Sequence, residues 1–204
     1  MPRSSTAPLN RTTIARAALE LIDENGLEGW TMRALAERLG VRAPSLYSHV
    51  SSQEEILDTV HELIDDEIDL EALRDPDLRR GLAAFAHSYR AAYARHPGAT
   101  VLIVRRPIGT DSALRVYDAL LAALLGHGLA PDEAMRSAVV LDYLVLGSAV
   151  ETFIGGFAGA DDYEGRYPAL VAALRACDRR TIDQEGFEAG LAHLVEAVAA
   201  RAAR

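Results

Sequence analysis

The sequence predicts an all-α fold, and three observations predict it. Apolar residues recur at i, i+3, i+4 and i+7 through most of the 204 residues. Glycine and proline cut this pattern into pieces of helical length at Asn25-Gly26, Gly40, Asp75-Pro76, Pro97-Gly98, Pro107, Gly126 and Gly155-Gly156. The one stretch rich in β-branched residues, Ala99–Val104, has no partner strand, so it reads as a short helix or irregular piece closed by Arg105-Arg106-Pro107.

Residues 1–10 hold Pro2, Pro8 and Ser-Ser-Thr with little to bury, and are expected to form a disordered arm from which Arg3 and Arg11 can reach phosphates. The first helix carries Ile14, Ala17, Ala18, Leu21 and Ile22 on one face and ends near Asn25-Gly26. Trp30 serves as an apolar anchor ahead of the next helix. Thr31 is a good N-cap, and Met32, Leu35, Ala36 and Leu39 give that helix an inward face. Gly40 supplies a positive φ, Val41 plugs the corner, and Pro44 is pre-set for the first turn of a following helix that Leu46 and Val50 anchor. Arg42, Ala43, Ser45, Ser48 and His49 then face outward. A short helix with a small, polar outer face, set at an angle by a glycine turn, has the form that enters a DNA major groove. The expectation is a three-helix, helix-turn-helix DNA-binding domain.

Ser52-x-x-Glu55 is a capping box for a fourth helix with Ile56, Leu57, Val60, Leu63, Ile64 and Ile68 inward. The acidic run Asp65–Glu71 lacks the glycine and the oxygen spacing of a calcium loop, and reads as the solvated face of a continuing helix. Arg74-Asp75-Pro76 breaks that helix and marks the domain joint, giving residues 11–75 for DNA binding and 76–204 for ligand binding and dimerisation. In the second part, helices are expected from about Asp77 to Arg95, Asp111 to Leu125, Pro131 to Ile154, Pro168 to Cys177 and Asp183 to Ala202. The Pro131 helix is apolar nearly all round and needs neighbours on every side. Residues 155–167 read as a mobile, glycine-rich loop. Two long helices with more apolar surface than one subunit can cover predict a homodimer, paired through the Pro131 helix and the C-terminal helix.

Asn25-Gly26-Leu27, the Thr-x-Arg-x-Leu-Ala of Thr31–Ala36, Leu39-Gly40-Val41 and Leu46-Tyr47-x-His49-Val50 together resemble the DNA-binding domain of the TetR family of bacterial regulators. The resemblance spans about residues 10–69. It implies a homodimer on a palindromic operator in double-stranded DNA, with Thr31, Arg33, Tyr47 and His49 at phosphate- or backbone-contacting positions. It also implies that Arg42, Ala43, Pro44, Ser45 and Ser48 meet base edges. Gln53 stands where the family usually has a lysine, so one phosphate contact is neutral or absent. His96-Pro97-Gly98-Ala99-x-Val101, Arg106-Pro107 and Leu146-Gly147-x-x-x-Glu151 resemble the effector domain of the tetracycline-repressor branch. Leu102 falls at the position of that branch's magnesium-holding histidine and Arg105 at that of its threonine; a magnesium–tetracycline inducer is therefore not expected. The expected ligand site is an apolar pocket of Phe85, Tyr89, Tyr93, Leu102, Tyr143 and Phe153, with Arg105, Arg106 and Glu151 as polar groups and Glu151 paired to one of the arginines. Neither a metal nor a cofactor is expected.

The net charge of −9 is unevenly spread. Residues 1–52 hold six arginines and five acids, and the rest holds fifteen arginines and twenty-five acids, so the reading head is weakly positive while the remainder is acidic. The most apolar run, Ala138–Val150, is broken by Asp142 and is too short to span a bilayer. No basic, apolar leader opens the chain and Cys177 is the lone cysteine, which fits a cytoplasmic protein away from membranes. No nucleophile–base pair, phosphate loop or zinc spacing suggests an enzyme, and His61, His87, His96, His127 and His193 are scattered. These readings converge on a homodimeric, ligand-responsive transcriptional regulator, a repressor released from its operator by a small apolar molecule. The alternatives are an activator, or a ligand-binding or scaffold protein that keeps the fold without specific DNA binding.

Overall fold

The computed structural model describes residues 8–26, 29–150 and 154–203, with Ile154 described by its backbone alone. Every regular element among them is helical. In chain order these are α1 (Arg11–Asn25), α2 (Met32–Leu39), α3 (Ala43–Leu46), α4 (Gln53–Asp65), α5 (Leu78–Ala94), α6 (Pro97–Ile103), α7 (Asp111–Gly126), α8 (Pro131–Ala149), α9 (Pro168–Ala176) and α10 (Ile182–Ala202). Single 3-10 turns cover Glu71–Arg74, Ile154–Gly156 and Ala160–Tyr163.

Local chemistry sets the ends of the first helices. The Asn10 side chain accepts the Thr13 N–H at 2.8 Å and caps α1, and Gly26 closes it at φ 69°. Ile14, Ala18 and Ile22 of α1, Leu35 of α2, Leu46 of α3 and Ile56 and Val60 of α4 are all buried, and α1 packs on both α2 and α4. Ser52 caps α4 through the Glu55 N–H at 3.2 Å. The return bond of the expected capping box is shifted by one residue: the Glu55 carboxylate takes the N–H of Ser51, at 2.6 Å.

α4 also packs on α5, α6 and α7, so it belongs by contact to both ends of the molecule. A second link runs from α1 to α6. His96 Nδ1 lies 2.8 Å from Asp23 Oδ2, and a Cβ on Gly98 would meet Ile22 Cγ2 at 3.0 Å. Farther along, α5, α8 and α10 pack against one another. Arg90 on α5 is buried and ties this layer together: it donates to Ser148 Oγ at 3.1 Å and to Gln184, and its guanidinium lies over the Phe187 ring. α8 and α10 come so close that a Cβ on Gly190 would stand 2.8 Å from Leu144 Cδ1.

Several expectations need correcting. α4 stops at Asp65 instead of continuing through the acidic run, and Asp65 is 5% exposed rather than solvated. Its carboxylate is drawn inward by hydroxyl donors from distant helices, which a helical pattern in sequence does not reveal. α3 is a single turn, and a hydrogen-bonded turn through His49 completes its path to Val50, whose N–H still bonds the Leu46 carbonyl at 3.1 Å. α8 ends at Ala149, short of Ile154. The segment read as a mobile loop is tied down: Arg179 donates to the carbonyls of Phe157 and Ala158, and Arg175 pairs with Asp161 and Glu164. The expected arm lies outside the described residues as far as residue 7, as do Leu27, Glu151 and Phe153.

Candidate functional site

The reading head is built on a corner. Thr31 caps α2 by accepting the Ala34 N–H at 3.1 Å. Gly40, at φ 68° and ψ 26°, turns the chain, and the Val41 N–H bonds the Ala36 carbonyl at 3.0 Å. That is the six-to-one bond of a glycine-closed helix end. Pro44 sits in the first turn of α3, and Leu46, Val50 and Trp30 are buried. Burying these side chains on one side leaves Arg42, Pro44, Ser45, Tyr47, Ser48 and His49 exposed on the other, with Ala43 half-buried. Thr31 and Arg33, at the start of α2, are exposed as well. All nine residues expected at the DNA belong to α2 and its cap, the glycine corner, α3 or the turn after it, and eight of them are exposed.

The charges of the reading head are unequal in freedom. Arg33 pairs with Glu37 at 2.9 Å on an open helix face, and Arg38 is held by Glu24 at 2.7 Å and by Glu20 at 3.4 Å. Arg11, read as able to reach a phosphate, is bound back to α4 through Glu55 at 3.2 Å and Thr59 at 3.1 Å. Arg42 is exposed and has no ion pair among the described residues.

A cavity of about 160 Å³ lies on the other side of α4, walled by α4 to α8. Of the residues expected there, Tyr89, Tyr93 and Arg106 line it. Phe85 is fully buried in the core behind them, Leu102 is half-buried and Arg105 exposed, and neither reaches the wall. Tyr143 points outward, 73% exposed. Glu151 and Phe153 are outside the described residues, and the expected Glu151 pairing does not account for Arg106, which is paired with Asp58 and donates to the Glu54 carbonyl at 3.3 Å.

His61, Asp65, Tyr117 and Asp142 are wall residues that sequence reasoning missed. Asp142 did leave a signal, as a lone acid within the most apolar run of the chain. Its Oδ1 accepts the hydroxyls of Tyr89 and Tyr117, each at 2.8 Å. Asp65 accepts the Tyr93 hydroxyl at 2.7 Å and the Ser112 hydroxyl at 2.7 Å, and His61 Nε2 lies 3.3 Å away. Burial, reinforced by the neighbouring carboxylates, pushes all three phenols well above their usual pKa, so they remain donors. Burial also holds His61 below its ordinary 6.5, outweighing the opposite pull of Asp65 and Asp58. At neutral pH the imidazole is therefore uncharged.

No group of three or more His, Cys, Asp or Glu among the described residues has the arrangement to hold a metal ion. The alkyl side chain of Leu102 and the guanidinium of Arg105 are not ligands for a hard cation, so the residues present do not fit a magnesium site. No described helix is long and apolar enough to cross a membrane.

Comparison with known proteins agrees with both halves of this geometry. Residues 14–60 match the family model of bacterial regulatory proteins of the tetR family, and residues 72–202 match that of the tetracyclin repressor-like C-terminal domain. The chain is 33% identical over 201 residues to the class A tetracycline repressor from transposon 1721 of Escherichia coli, covering 95% of this chain and 92% of that one. It is 34% identical over 185 residues to an HTH-type transcriptional regulator of Saccharopolyspora erythraea, covering 85% of this chain and 73% of the relative. Among solved structures, apo ActR from Streptomyces coelicolor shares the fold at a TM-score of 0.78 and 23% identity, over 97% of this chain and 100% of that one. TetR from Acinetobacter baumannii superposes at a TM-score of 0.70 and 25% identity, over 93% of this chain and 98% of the other. These relatives are named as regulators and repressors, not as enzymes. The chain belongs to the TetR family of bacterial transcriptional regulators.

Proposed function

We propose that the chain acts in the cytoplasm as a homodimeric repressor of a palindromic operator, released when a small molecule enters the cavity walled by α4 to α8. The observation that carries this reading is the placement of α4. One face buries Ile56 and Val60 against the reading head, while Asp58, His61 and Asp65 meet Arg106, Thr110, Tyr93 and Ser112 around the cavity. A ligand that rearranges those partners must act on the helix that supports α1 and, through it, α2 and α3. Residues 11–75 then serve as the DNA-binding unit and 76–204 as the effector and dimerisation unit, with α4 common to both by contact.

On the DNA, Thr31, Arg33, Tyr47 and His49 contact the backbone and Arg42, Ala43, Pro44, Ser45 and Ser48 meet base edges in the major groove. Two α3 helices in successive grooves stand roughly 34–36 Å apart. Dimerisation through α8 and α10 is supported by Val140 and Tyr143, which are exposed on α8, and by the groove that Val140 shares with Leu194 and Ala197 of α10. Solved relatives of this fold include ActR in complex with actinorhodin and an A. baumannii TetR variant in complex with minocycline. Ligand binding in the helical domain is carried over from them as part of the proposal.

Selection of randomised duplex DNA on the purified protein at two salt concentrations tests this reading. Enrichment of a palindrome with half-sites one helical turn apart is expected. Salt-sensitive retention of DNA without sequence enrichment would reduce the head to a general phosphate binder and remove the operator from the account.

A further inference from the structure

The cavity wall has an unbalanced charge. Asp142 uses Oδ1 for both tyrosine hydroxyls, while Oδ2 takes no hydrogen bond from any described residue and is not buried. Asp65 stands in the same wall, and both acids act electrostatically on Tyr93 and on Tyr117, which places them around one space. The nearby cations do not balance them. Arg106 is engaged by Asp58 and the Glu54 carbonyl, and His61 is neutral at pH 7 because of its burial. Hydroxyl donors satisfy the hydrogen-bonding capacity of a carboxylate without cancelling its charge, so the cost of desolvating the buried Asp65 is only partly recovered and the charge of Asp142 remains open to a ligand.

The walls between the acids are aromatic. Tyr89 and Tyr93 stack edge to face, with ring centroids 5.2 Å apart, and Tyr117 faces the same space. Ring faces attract cations as well as apolar bodies. We propose that the effector is a compact aromatic cation, its ring against Tyr89, Tyr93 and Tyr117 and a protonated amine on Asp142 Oδ2. An anion of the same shape meets two carboxylates and, among the described wall residues, no free cation, and is disfavoured. This rests on the reading of the cavity as the effector site, and replaces the expected apolar ligand with a charged one. The cavity, about 160 Å³, has room for a body of one or two rings.

Three indole probes of nearly equal shape test the assignment on the full chain at pH 7, by calorimetry or ligand-observed NMR. Tryptamine is the cation, tryptophol the neutral analogue and indole-3-acetate the anion. Tryptamine is expected to bind at least tenfold more tightly than tryptophol, with indole-3-acetate weakest. D142N keeps an acceptor oxygen for both tyrosines; it should bring tryptamine down to the affinity of tryptophol, with helical circular dichroism and an unfolding midpoint near wild type showing that the variant is folded. Equal binding of the three, or preference for the anion, would overturn the charge assignment while leaving the cavity a ligand site. Binding of none would remove the cavity as a ligand site and the assignment with it. A tryptamine preference that survives in D142N would place the cation elsewhere and overturn the proposal. The wild-type series decides the charge class even if the variant does not fold.

Discussion

Arg42 has a freedom that Arg11, Arg33 and Arg38 lack, since each of those is engaged by a carboxylate. A guanidinium with no ion pair among the described residues, at the corner before α3, can present two donors to one guanine edge without first breaking such a pair. Arg42→Ala should weaken binding to the selected operator by about 1–3 kcal/mol and relax preference at one base pair, read by fluorescence anisotropy on single-base variants of the duplex. Unchanged affinity and preference would show that α3 docks in another orientation. Asp65 matters in a different way, through stability. Asp65→Ala leaves the Tyr93 hydroxyl without its acceptor, while Ser112 can still donate to Thr110 Oγ1 at 3.2 Å; the cost is about 1–3 kcal/mol for the one buried donor, measurable by urea unfolding. Asp65→Asn, whose amide oxygen still accepts, should lose less. His61 adds a pH dependence. Its folded pKa lies below the ordinary 6.5, so the unfolded chain binds the proton more readily. The stability from keeping it neutral is complete above 6.5 and is lost as pH falls through the folded value. Wild type should therefore lose more stability between pH 7.5 and 5 than His61→Gln; equal losses would contradict the burial argument.

At the scale of the element, the glycine corner between α2 and α3 and the junction at α4 carry most of the design. Gly40 is left-handed with open space around its Cα, so a methyl there meets no atom and the cost is purely conformational. Gly40→Ala should destabilise the head by about 1–2 kcal/mol, seen as a lower unfolding midpoint, with operator binding weakened as the angle of α3 shifts. The helices and this corner were legible in sequence because their causes are local: apolar spacing, caps, and a glycine at a helix end. The end of α4 was not. Ile68 prolongs the apolar period and the acids around it suit a wet helix face, yet Asp65 turns inward to partners 28 and 47 residues away. Asp142 stands out in sequence as an acid in an apolar run, but its place in the cavity does not, its phenol partners lying 53 and 25 residues off. Phe85 was assigned to the cavity because aromatic residues of a core and of a pocket wall share one helical spacing; only the packing separates them.

Across the whole molecule, α4 and the α1–α6 contact through Asp23 and His96 make the reading head and the acidic cavity parts of one helical assembly. The weakly positive head bears little net charge of its own, so the proposed sequence preference would rest on a few base contacts and on two heads acting together. Two chains on one duplex follow from the proposed function. The most direct measurement is a hydroxyl-radical footprint of the protein on the duplex recovered by selection, with the number of chains per duplex counted by native mass spectrometry. Two chains and two protected patches centred one helical turn apart, roughly 34–36 Å, are predicted. One chain on a single patch, or protection without a pattern, would contradict a dimeric operator-binding regulator.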